Sequence, residues 1–93
     1  MEIRYSLTLH PAVIAHDLPK LDVFLRQSIR DAVREKLGTN PELYGKPLRY
    51  VLKGCRTFRV GDYRVVFQMR GRVIYIIAIV HRRSGYGSIA ERL

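Results

Sequence analysis

The chain has 93 residues, enough for one domain (1–93) with one small core, and its 47% hydrophobic and 27% charged residues argue for a globular fold over a disordered tail. A lone cysteine, Cys55, rules out an internal disulfide, no apolar run reaches the roughly 18 residues of a membrane span, and Met1 to Tyr5 lacks the apolar core of a signal peptide, so a cytoplasmic protein is expected. The formal charge of +9 favours a polyanionic partner, and arginines far outnumber lysines. Arginine forks grip phosphate bidentately and stack on bases, which tilts the expectation toward nucleic acid.

Ile3 to Leu9 alternates apolar and polar residues, which predicts a first strand with Ile3, Tyr5, Leu7 and Leu9 on one face. Pro11 suits the first turn of a helix from Ala12 to Leu18, and Pro19 ends or kinks it. Asp22 is placed to cap a longer helix, Val23 to Leu37. Leu21, Leu25, Ile29, Val33 and Leu37, joined by Phe24 and Ala32, form its core-facing stripe, with Arg26, Arg30, Arg34 and Lys36 away from it. Gly38 supplies a stop, and Asn40–Pro41 starts a loop. Leu48 to Leu52 reads as a short strand and Cys55 to Val60 as an alternating one. Gly61–Asp62 is a hairpin signal leading into Tyr63 to Met69, and Arg70–Gly71 turns into a long apolar strand ending at Val80. A last helical turn spans Ile89 to Leu93. The predicted class is α+β: two N-terminal helices packed on one face of a small antiparallel sheet.

The opposite face of that sheet is where function is expected. It carries Arg56 or Arg59, Tyr63 or Arg64, and Gln68; a one-residue slip in register reverses each assignment. Where the last strand stops, the chain delivers His81, Arg82, Arg83 and Tyr86 within six positions. Arg59, Arg64 and Arg83 can converge on one phosphate and stabilise the charge that grows in a phosphoryl transition state. They can equally be solvated strand residues, or pair with Asp62, Glu42 and Glu91. Tyr86, set between Gly85 and Gly87, can stack on a base and exchange a proton, or pack back onto the sheet. His81 can act as a general base near neutral pH or simply bond to backbone. No metal-ligand spacing, phosphate loop or dinucleotide motif is present, so neither metal nor cofactor is expected.

The chain resembles the RelE/ParE superfamily of bacterial toxins over nearly its full length. The likeness rests on Lys36 to Gly38, Asn40–Pro41, Gly45 to Leu48, the block Phe58 to Phe67, and Ile79 to Arg83 followed by Tyr86. The resemblance implies one partner of a toxin–antitoxin pair, held by an acidic antitoxin that covers the basic face. RelE-type members cut mRNA in the ribosomal A site without a metal: the RNA 2′-hydroxyl attacks the adjacent phosphate and leaves a cyclic phosphate. ParE-type members share the fold, lack the catalytic set and inhibit DNA gyrase. Carried over by position, Arg59, Arg64 and Arg83 match phosphate-binding arginines, Tyr86 the base-stacking and proton-transferring tyrosine, and His81 a histidine that some members use. Lys53, Arg56 and Arg82 lie nearby as RNA-binding candidates. The departure is on the third strand, where Cys55 and Thr57 stand in place of the two lysines of the best-known ribonucleases, leaving the general base unassigned.

Overall fold

The computed structural model describes residues 4–93, so the expected strand start at Ile3 lies outside the described residues. Five strands form one sheet in the order β1-β5-β4-β3-β2: β1 Ser6–Leu9, β2 Lys46–Pro47, β3 Arg56–Val60, β4 Tyr63–Arg70 and β5 Val73–His81. The last three make the expected antiparallel meander. β1 joins its edge parallel to β5, pairing Ser6 with Val73 through Leu9 with Ile76. The helical crossover between β1 and the meander makes that parallel pairing possible. Both tight turns of the meander are two-residue loops opened by a glycine in the left-handed region, Gly61 (φ 58°) and Gly71 (φ 61°). A side chain is strained there, which is why glycine heads each turn.

The helices cover one face. Val13–Asp17 is a short wide-turned segment running into the 3-10 turn Leu18–Lys20, with Pro19 inside it as a helix breaker. Helix α1, Val23–Ala32, starts where the Asp22 carboxylate accepts the Leu25 N–H at 2.8 Å. It continues as a wider turn, Val33–Leu37, closed by the Gly38 N–H on the Val33 carbonyl. The predicted stripe is the buried one at Leu21, Ile29, Val33 and Leu37, and Leu25 is partly buried. Phe24 does not belong to it: its side chain is 83% exposed, because one residue along a helix turns it about 100° from Leu25.

Two further segments differ from expectation. Asn40–Pro41 opens a short helix, α2 (Pro41–Tyr44), with proline at the first turn, where its missing N–H is harmless. Leu48 to Leu52 is not a strand. Pairing with β3 is confined to Lys46 and Pro47, the chain bends through a 3-10 turn at Tyr50–Leu52, and Tyr50 itself has φ 58°. Pro47 offers no N–H to extend a ladder. Gly45, at the end of α2, lies flat against the core: a methyl built there would collide with Phe67 Cζ and sit 2.9 Å from the Pro41 carbonyl oxygen.

A bulge in β5 decides which side chains face where. Val66 pairs with Ala78 and Phe67 with Ile76, so Ile77 is the extra residue. Ile74, Ile76 and Ile79 therefore pack under the helices with Phe58, Val65 and Phe67. Ile77 and Ala78 both turn to the other face, where Val66, Cys55, Leu52 and Ile89 make a second, smaller core. The chain after β5 folds back over that face and ends in the turn Ile89–Arg92, leaving only part of the face to solvent.

Candidate functional site

The pleat of β3 and β4 fixes the register that sequence leaves open. Phe58 and Val65 point into the helix-side core, so Arg59 and Arg64 point to the back face, and the two are direct cross-strand partners. Like charges in that position repel unless an anion lies between them. Here the guanidinium groups are steered apart. Arg59 Nε donates to the Gly61 carbonyl at 3.0 Å, while an Arg64 terminal nitrogen meets the Tyr86 hydroxyl at 3.0 Å. Arg64 also sits over the Tyr86 ring, 5.8 Å from its centroid. Tyr86 is partly buried, packed against the back-face core. Chemically this is a cationic pair beside a phenol that can donate or accept a proton and can stack.

Arg83 is exposed in the turn that follows β5; its backbone N–H donates to His81 Nδ1 at 3.1 Å. Arg82 holds the two hairpin ends together, its N–H bonded to the Asp62 carbonyl and its side chain 3.5 Å from the Asp62 carboxylate. His81 is not brought to Tyr86. It pairs with Tyr63, and their rings meet edge to face at 5.2 Å on the helix side of the sheet. Arg56 also goes to the helix side, donating to the Gly45 carbonyl at 3.0 Å. Lys53 is exposed in the loop before β3. Cys55 and Thr57, the positions where the resemblance leads one to expect lysines, do face the back. Cys55 is buried there, taking a weak contact from the Gln68 amide at 3.6 Å. Thr57 Oγ1 is buried with no hydrogen-bond partner among the described residues.

A second feature lies on the helix side. A groove of about 570 Å³ runs between α1 and the β1–β5 edge. Leu7, Leu9, Ile76 and Ile79 line its apolar floor, and Arg26, Arg30 and Arg34 rise along its rim at four-residue spacing. Sequence marked those arginines only as lying off the core stripe. It gave no signal at all for Asp17 and Arg92, a buried ion pair that contacts the bulge of β5. Pairs separated by 75 residues leave no local pattern.

A small mixed sheet is roofed by helices on one face and carries paired arginines and a tyrosine on the other. Residues 8–86 match the family model described as the ParE toxin of the type II toxin–antitoxin system parDE. A curated relative, Toxin RelE of Mycobacterium tuberculosis, is 36% identical over 77 residues, covering 81% of this chain and 79% of its own. The solved toxin–antitoxin complex RelBE2 of the same organism contains a chain with the same fold, at a TM-score of 0.79 and 24% identity, covering 90% of this chain and 98% of that one. The protein belongs to the RelE/ParE family and is a toxin of the type II toxin–antitoxin class.

Proposed function

We propose that the whole chain acts as one toxin domain, cytoplasmic, that cuts mRNA bound in the ribosomal A site. The observation that carries this reading is the Arg64–Tyr86 pair beside Arg59 on the back face. In the reaction the 2′-hydroxyl gives up its proton to water and its oxygen bonds to phosphorus as the bond to the 5′-oxygen breaks, leaving a 2′,3′-cyclic phosphate and a 5′-hydroxyl. Arg59 and Arg64, with Arg83 approaching from the loop after β5, hold the phosphate and neutralise the charge that builds on its oxygens. Tyr86 stacks on a base and passes a proton to the departing oxygen. No metal or organic cofactor is invoked. His81 and Arg56, directed to the helix side, take no part in this scheme.

The natural counterpart is an acidic antitoxin. The solved RelBE2 structure is a toxin–antitoxin complex, and the arginine-rimmed apolar groove suits an amphipathic acidic segment. The match to the ParE family model, together with Cys55 and Thr57 in place of lysines, favours one alternative: a toxin without nuclease activity that binds DNA gyrase. Expression without antitoxin separates the two. Mapped mRNA ends within ribosome-bound codons and arrested translation are expected. Intact mRNA with inhibited DNA supercoiling would replace the ribonuclease reading by the gyrase one.

A further inference from the structure

β5 loses its β1 neighbour half-way along, while β4 stays paired on its other side. Its parallel pairing with β1 ends at Ile76, where the His10 N–H bonds the Ile76 carbonyl and the chain turns away toward Pro11. Just beyond lies the bulge at Ile77 and Ala78. The Ile77 carbonyl and the Ile79 N–H therefore face an edge with no strand on it. Two side chains take its place. The Asp17 carboxylate accepts the Ile79 N–H at 2.9 Å, and Arg92 donates to the Ile77 carbonyl at 3.0 Å. The same Arg92 fork grips both oxygens of Asp17, at 2.7 and 3.0 Å. Asp17 is 5% exposed and is the buried charged residue of the described chain. Its hydrogen bonds to Arg92 raise the guanidinium above the ordinary arginine value, so the charge is kept on. A buried carboxylate stripped of that partner would be strongly unfavourable, which makes the contact close to obligatory.

The pair joins elements that sequence keeps far apart. Asp17 ends the first helical segment, and Arg92 belongs to the turn Ile89–Arg92. Ile89 is buried in the back-face core, and its N–H bonds the Tyr86 carbonyl at 3.1 Å. Anchoring the turn therefore anchors Tyr86, whose own flanks, Gly85 and Gly87, have open space around them and do nothing to hold it.

We propose that Asp17 and Arg92 form a clasp whose task is to position Tyr86 against Arg64. Both are positioning residues. The part of this that concerns catalysis rests on the ribonuclease reading; the part that concerns Tyr86 does not. Lysine at position 92 can supply a point charge but not the fork that reaches two carboxylate oxygens and a carbonyl together, so it replaces arginine only in part.

The test places 3-fluorotyrosine in the full chain and assigns the Tyr86 fluorine signal with Tyr86→Phe. In Arg92→Gln that signal should move to the position of a solvent-exposed tyrosine, and in Arg92→Lys it should fall between the two. The amide spectrum of β4 and β5 should persist in both. On ribosomes, Arg92→Gln should lower the cleavage rate by about 10²-fold, the loss typical of a displaced reacting group. It should add little on top of Tyr86→Ala, because both changes remove the same interaction. A fluorine signal unmoved by Arg92→Gln overturns the clasp. If that variant does not fold, an unmoved signal in Arg92→Lys does so equally. No cleavage by the native protein would remove the ribonuclease reading and leave the fluorine result to decide the clasp.

Discussion

At the scale of single residues, the site depends on which way a side chain leaves a strand, and strand pairing decides that. Composition and spacing were enough to pick out Arg59, Arg64 and Tyr86 as candidates, because arginines on an alternating hairpin and a tyrosine between glycines are visible in one dimension. Arg56 and His81 look just as suitable in the sequence. They differ only in parity: Arg56 is two residues from Phe58, on its side of the sheet, and His81 lies opposite Tyr63. The parity of His81 changes at the β5 bulge, which has no sequence mark of its own. Two measurements follow from the geometry. Arg64→Ala removes one of the paired cations and the partner of the Tyr86 hydroxyl, and should lower mRNA cleavage by about 10²–10³-fold in single-turnover assays on ribosomes. Tyr86→Phe keeps the ring over Arg64 and loses only the hydroxyl, so it should cost less than Tyr86→Ala. Activity unchanged in all three variants would take the pair out of the mechanism.

At the scale of elements, the four-residue repeat and the Asp22 cap made α1 legible, since both are local and follow from helix geometry. The β2 region was not, because a two-residue strand ending at a proline carries no periodicity. The structure grades the stripe more finely than the repeat does. Ile29 is 3% exposed and Leu25 is only partly buried, so Ile29→Ala should destabilise by about 2–5 kcal/mol and Leu25→Ala by less. Chemical denaturation of both variants checks the order, and equal losses would mean that α1 is rotated from the position described. Gly45 gives a second check on packing. Gly45→Ala drives a methyl into Phe67, at the centre of the helix-side core, and should cost about 1–3 kcal/mol. A neutral melting temperature for this variant would show that α2 can shift away from the sheet.

At the scale of the whole molecule, the +9 charge is divided between two faces that the sheet keeps apart. Arg59 and Arg64 lie on the back face, and Arg26, Arg30 and Arg34 line the groove on the helix side. Total charge sets how strongly an acidic antitoxin is drawn in, while the position of the charge sets where it lands. The association rate with the antitoxin should therefore fall as salt rises from low concentration to several hundred millimolar, well beyond the range in which exposed charges remain unscreened. The two faces should also separate by mutation. Arg26→Glu with Arg30→Glu should slow antitoxin association and flatten its salt dependence, yet leave mRNA cleavage by the free toxin intact, because neither residue approaches Tyr86 or Arg64. Arg64→Ala should do the reverse, abolishing most cleavage with a small effect on association. Stopped-flow association and ribosomal cleavage on the same preparations provide the comparison. An association rate indifferent to salt, or a groove variant that loses cleavage and association together, would mean that the two basic faces do not act independently.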